Sequence, residues 1–94
     1  SDYASVKILK VDIEYPKYSS DYVDINVTVT NEGEKSISYI KINLFFEDEN
    51  GKIVKSDWTN DTSIIKPGAS QVITKMTETD GWKTVTAEIA DIRW

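Results

Sequence analysis

From Tyr22 to Thr30 apolar and polar residues alternate without a break, with Val23, Ile25, Val27 and Val29 on one side and Asp24, Asn26, Thr28 and Thr30 on the other. A period of two with β-branched residues on the apolar side describes a strand with one face buried and one face wet. Asn31-Glu32-Gly33-Glu34-Lys35 interrupts the pattern with turn formers and charge, and Ile40, Ile42, Leu44 and Phe46 then resume it. The two runs read as neighbouring antiparallel strands. If the even-numbered residues of the second run face the core, Tyr39 and Phe45 face outward.

Asp48-Glu49-Asn50-Gly51 closes the second run, and Asn-Gly supplies the positive φ angles of a type I′ hairpin turn. The strand expected after it, Lys52 to Trp58, is short and polar, with Ile53 or Val54 and Trp58 as its large apolar groups, as suits an edge strand. A polar loop, Thr59-Asn60-Asp61-Thr62-Ser63, follows. Pro67-Gly68 fits the two central positions of a type II turn, because Pro fixes a negative φ and Gly accepts the positive one after it. Further strands are expected from Ser70 to Thr77 and, beyond an Asp80-Gly81 turn, from Trp82 to Arg93.

At both ends of the chain the alternation changes phase. Val6 and Ile8 hold one parity and Leu9, Val11, Ile13 and Tyr15 the other; Val85, Ala87 and Ile89 give way to Ile92 and Trp94. A slip of one residue signals a β-bulge or a strand changing sheets, so irregularities are expected near Leu9 and Ala90. Apolar residues nowhere recur at helical spacing. Six to seven short strands with turn signals between them predict an all-β, immunoglobulin-like antiparallel β-sandwich, in preference to a barrel. With 94 residues, one domain spanning 1–94 is expected.

Eleven basic against sixteen acidic residues leave a net charge of -5, which opposes binding to phosphate backbones, so no nucleic-acid partner is expected. No apolar run approaches the roughly 20 residues of a bilayer span, so no membrane insertion by this segment is expected, and Ser1-Asp2-Tyr3-Ala4 lacks the basic and apolar regions of a signal peptide. The chain has no His and no Cys. That removes Ser-His and Cys-His nucleophile pairs and every imidazole or thiolate metal site.

The remaining enzymatic option is a two-carboxylate glycosidase built from Asp24, Glu47 and Asp48, but a chain this small has little material for both a core and a sugar-burying cleft. No catalytic residues are assigned. Two clusters, Asp48/Glu49/Asn50 and Asp57/Asn60/Asp61, carry the oxygen ligands that calcium uses, yet neither has the spacing of an EF-hand loop and both consist of ordinary turn residues. No metal or cofactor is assigned. Asn26-Val27-Thr28 and Asn60-Asp61-Thr62 satisfy the N-glycosylation rule, a motif too short to carry an inference.

The outward aromatics are the candidate binding residues: Tyr39, Phe45 and Trp58, with Tyr18, offer ring area to a sugar or to a neighbouring protein domain. The competing explanation is that Phe45 is covered by the Tyr3 to Tyr18 segment, with Trp82 and Trp94 in core or edge packing.

Val27-Thr28-Val29-Thr30-Asn31-Glu32-Gly33, the Ile40 to Asp48 strand, Glu49-Asn50-Gly51-Lys52-Ile53-Val54 and Ile65-Lys66-Pro67-Gly68 together resemble the FxLYD-type domains and related immunoglobulin-like modules of bacterial envelope proteins. The naming motif itself is altered, with Glu47 where that pattern has Tyr. The resemblance implies an extracellular or cell-envelope accessory domain, often part of a lipoprotein or wall protein, with no catalytic residues. Two roles follow as expectations: a structural or spacer module in contact with adjacent domains, or a carbohydrate- or protein-binding module using the aromatic strand face.

Overall fold

The computed structural model describes residues 3–18 and 21–94, so the opening Ser1-Asp2 of the stretch read for targeting lies outside the described residues. Each alternating run forms a strand: β1 (Val6–Glu14), β2 (Tyr22–Asn31), β3 (Tyr39–Glu47), β4 (Ile53–Asp61), β5 (Ser70–Glu78) and β6 (Thr84–Arg93). They form two antiparallel three-stranded sheets, in the orders β1-β2-β5 and β4-β3-β6, and no barrel closes.

The central strands supply most of the core. Val23, Ile25, Val27 and Val29 of β2 meet Ile40, Ile42, Leu44 and Phe46 of β3, all buried, and Val6, Ile37, Ile65, Ile73 and Ile92 complete the cluster. Because β2 and β3 are each buried on one face, they pack against each other from opposite sheets, which corrects the reading of them as paired neighbours. The segment between them crosses from sheet to sheet and is pinned by an isolated bridge of Ile37 to Ile65.

Both expected phase slips are β-bulges. Pairing of β1 with β2 shifts between Ile8 and Lys10, leaving Leu9 as the extra residue, and pairing of β6 with β3 steps from Asp91 to Ile89, leaving Ala90. A third bulge, at Val54, lets β4 resume pairing with Glu47 through Ile53. The polar stretch Thr59–Asp61 continues β4 and does not loop out, because Ile40 to Ile42 of β3 still offer it backbone partners.

The Lys66–Ala69 turn is type II as expected, closed by the Ala69 N–H to the Lys66 carbonyl at 2.9 Å with Gly68 at φ 82°. The β3–β4 hairpin is not type I′. Gly51 has φ 81° but no non-glycine described residue has a positive φ, which rules out the conformation that Asn50 would need. The Asp48 carboxylate decides the matter. Its Oδ1 accepts the N–H groups of Asn50 (2.9 Å) and Lys52 (3.0 Å), and the Gly51 N–H closes on the Asp48 carbonyl at 3.1 Å, giving a type I turn followed by glycine in the left-handed region. A Cβ on Gly51 would meet only Glu47 Oε1, at 3.8 Å. Gly51→Ala is therefore expected to cost about 1 kcal/mol from the backbone alone, read as a lower urea midpoint with unchanged slope.

The two flanks of the sandwich differ in character. Where β1 faces β6, apolar Ile8, Val11 and Ile13 approach Val85, Ala87 and Ile89, each packed against the core. Where β4 faces β5, the core side of β4 carries Lys55, Asp57, Thr59 and Asp61, each opposite a core residue of β3, and that of β5 carries Gln71, Lys75 and Thr77 around Ile73. Gln71 Nε2 donates to Asp61 Oδ2 at 3.2 Å and Lys75 Nζ lies 3.9 Å from Asp57 Oδ2, so this flank is closed by polar contacts.

Candidate functional site

Odd-numbered residues of β3 face away from the core, so Tyr39, Lys41, Asn43 and Phe45 line the outer face of the β4-β3-β6 sheet. Trp58 of β4 stands opposite Asn43, which makes Lys41 and Phe45 its diagonal neighbours on that face. The structure thus brings all three candidate aromatics onto one surface, but not into one cluster. Tyr39 and Phe45 are six residues apart on the strand, about 20 Å.

Each ring has its own surroundings. Trp58 is 50% exposed with Lys41 Nζ 5.0 Å from its ring centroid. Tyr39 is half-buried, with the Arg93 guanidinium carbon 4.8 Å from its ring centre and Asn60 Nδ2 donating to its hydroxyl at 3.5 Å. Phe45 is half-buried between Ser56 and Thr86 of the flanking strands. The Tyr3 to Tyr18 segment does not cover it, because β1 belongs to the other sheet. Tyr18 stands 97% exposed in the β1–β2 connection and is not part of this strand face.

The indoles assigned to packing divide. Trp82 packs edge-on against buried Phe46 with centroids 4.9 Å apart, and its Nε1 donates to the Glu78 carbonyl at 2.8 Å. Trp94 remains 43% exposed.

The three candidate carboxylates are dispersed. Asp24 lies on the outer face of the first sheet, across from Glu14 and Met76. Glu47 lies at the end of β3 in the other sheet, and Asp48 has its Oδ1 engaged by two backbone N–H groups. Asp57 Oδ1 accepts the Trp58 N–H at 2.8 Å, and Asp61 Oδ1 accepts that of Ser63 at 2.8 Å. Among the described residues no group of three or more acidic side chains is arranged to hold a metal ion. No helix among them is long and apolar enough to cross a membrane.

Two features escaped the sequence reading. The first is an open cleft of about 880 Å³ at the pole where the β1–β2, β3–β4 and β5–β6 connections meet, lined by Asp21, Asp48, Glu49, Glu78, Asp80 and Lys83 among others. The signal was available: in an antiparallel sandwich alternate connections share a pole, and each of these three contains Asp. The second is Asn31, fully buried, whose Nδ2 donates to the carbonyls of Lys35 (2.8 Å) and Ile65 (2.9 Å) while its Oδ1 accepts the Gly33 N–H (3.0 Å).

Comparison with protein-family models, with curated proteins and with solved structures finds no match to this chain.

Proposed function

We propose that this chain is a non-catalytic structural module of a larger bacterial cell-surface or secreted protein, built as an immunoglobulin-like sandwich. The strand order supports the architecture. β1-β2-β5 and β4-β3-β6 correspond in order to the A-B-E and C′-C-F strands of that fold, with the last strand of the second sheet missing. The resemblance of the turn and strand motifs to bacterial envelope modules supports the setting.

One observation carries the non-catalytic reading: the three carboxylates that the sequence offered for a two-carboxylate mechanism, Asp24, Glu47 and Asp48, do not face one another across a shared site. Asp24 and Glu47 sit in different sheets, and Asp48 is committed to its own turn. A two-carboxylate mechanism needs both groups about 5 to 10 Å apart, flanking one bond.

The geometry refines the structural role. Val6 pairs with Asn31, Arg93 pairs with Tyr39, and Tyr3 Oη donates to Asp91 Oδ1 at 2.9 Å, so the first and last strands have their outer ends at one pole, opposite the acidic cleft. A parent protein joined at both ends would hold this module as a projection with its acidic pole outermost.

The second reading, a carbohydrate- or protein-binding module, is favoured by the half-exposed Trp58 beside Phe45. Chemical-shift titration with oligosaccharides separates the two. The structural role is expected to leave the amide signals of Tyr39, Phe45 and Trp58 unmoved. A saturable shift confined to those residues and abolished by Trp58→Ala would replace it with the binding role.

A further inference from the structure

Four strands lie at sheet edges, and three of them carry a device that discourages pairing with another chain. β1 has its bulge at Leu9 and presents Lys7, Lys10, Asp12 and Glu14 outward. β6 has its bulge at Ala90, and Asp91 Oδ1 occupies the Ile92 N–H at 3.0 Å. β4 has a bulge at Val54 and charged residues along its core side, and its Trp58 N–H is taken by Asp57.

β5 differs. It pairs with β2 in one unbroken register from Tyr22↔Glu78 to Thr30↔Ser70, and its outer face shows Val72 (53% exposed), Thr74 and Met76 (66% exposed). The phase of its free hydrogen-bonding groups follows from the ladder's ends. The Asn31 N–H donates to the Ala69 carbonyl at 3.0 Å and the Thr79 N–H to the Asp21 carbonyl at 2.9 Å, so residues of that parity bond toward β2. By alternation, the backbone N–H and C=O of Ser70, Val72, Thr74, Met76 and Glu78 point away from β2, along the edge.

We propose that β5 is a self-pairing edge, and that a second copy of this chain adds its own β5 antiparallel across a twofold axis at Thr74, joining two three-stranded sheets into one. The strand is self-complementary in this register. Thr74 is the midpoint of Ser70–Glu78, so the axis there pairs all nine residues, and the outward groups of Thr74 meet those of its copy in a hydrogen-bonded pair. The same register sets Val72 opposite Met76 of the copy, twice by symmetry, turning four exposed apolar side chains into cross-strand pairs. Charge does not oppose it: Ser70 faces Glu78, Gln71 faces Thr77 and Ile73 faces Lys75, and Lys75 already has Asp57 beside it in its own chain. The inference goes beyond the structural role proposed above and does not rest on it.

Sedimentation equilibrium of the full chain tests it. A reversible dimer is expected, with its dissociation constant raised at least about tenfold by Met76→Lys, which places a charge opposite Val72 of the copy. That lysine lies across from Asp24 on β2, so the monomer's circular dichroism is expected to stay unchanged. Because the chain has no cysteine, single replacements report the register directly. Thr74→Cys would face its symmetry mate at about 5.5 Å between Cα atoms, within disulfide range, whereas Val72→Cys would lie more than about 13 Å from its own. Covalent dimer is expected from the first and not the second. A chain that stays monomeric at millimolar concentration, a dimer indifferent to Met76→Lys, or equal cross-linking of the two cysteine variants overturns the proposal.

Discussion

Asn31→Ala is expected to lower unfolding free energy by about 2–3 kcal/mol, at the upper end of what most single substitutions cost. The side chain serves three backbone groups at once: the carbonyls of Lys35 and Ile65 and the N–H of Gly33. Alanine leaves the Gly33 N–H and the Lys35 carbonyl without this partner in a part-buried turn, while the Ile65 carbonyl keeps the Ile37 N–H at 2.9 Å, and each group so orphaned costs about 1–3 kcal/mol at most. Asn31→Asp is expected to be at least as damaging, since a carboxylate would confront two carbonyl oxygens where the amide donated to them. Asn26 provides the control on the same strand. It lies on the outer face, donating to Glu14 and accepting from Thr74, and Asn26→Ala is expected to cost no more than about 1 kcal/mol. Urea denaturation of the three variants should reproduce this order, with thermal midpoints about 4–8 °C lower per kcal/mol lost.

Phe46→Ala is expected to cost about 3–5 kcal/mol. Phe46 is the largest of the fully buried side chains, sits opposite Val85 and Lys55, and supports the Trp82 indole edge-on, with Lys55 Nζ 5.2 Å from its ring centroid. Removing the ring leaves a cavity between the sheets and frees one side of Trp82, so the loss of stability should come with a red shift of tryptophan emission. Phe45→Ala, one residue away on the outer face, is expected to cost about 1 kcal/mol or less, since its ring is partly wet already. Equal costs at the two positions would mean that the alternation does not sort β3 into a buried and a wet face.

That alternation made much of the fold legible. Four inward residues in β2 and four in β3 were readable because a period of two repeats without error there. The bulges at Leu9 and Ala90 were readable for a related reason: each shifts an apolar series by one residue and so leaves a mark in the sequence. Val54 leaves no such mark. The core side of β4 is Lys55, Asp57, Thr59 and Asp61, so no hydrophobic series exists there for a slip to disturb, and the strand's true length was hidden for the same reason. Which sheet a strand joins is also invisible to periodicity, which is why β2 and β3 read as partners when they are facing layers.

Asn31 was concealed by its residue type. Its number continues the inward series Val23, Ile25, Val27, Val29, but asparagine before Glu-Gly suggests a turn first and a buried polar hub second. Parity alone turned Tyr39 and Phe45 outward; that Trp58 shares their face while Tyr18 does not, and that about 20 Å separates Tyr39 from Phe45, emerged only from the strand geometry. The acidic cleft could be read only by setting alternate connections side by side, because its Asp residues are spread over three of them and no single stretch of sequence shows the cluster.

The neighbouring outer ends of β1 and β6 set how the molecule responds to tension. A pull applied at Val6 and Arg93 acts at a single end and across the strands, so it loads the Val6–Asn31 and Arg93–Tyr39 contacts first and then each rung in turn, like opening a zip. Resistance by shear, in which a whole ladder must break together, needs attachment at opposite ends. Placed in line between two pulled points, this fold would therefore act as a compliant link.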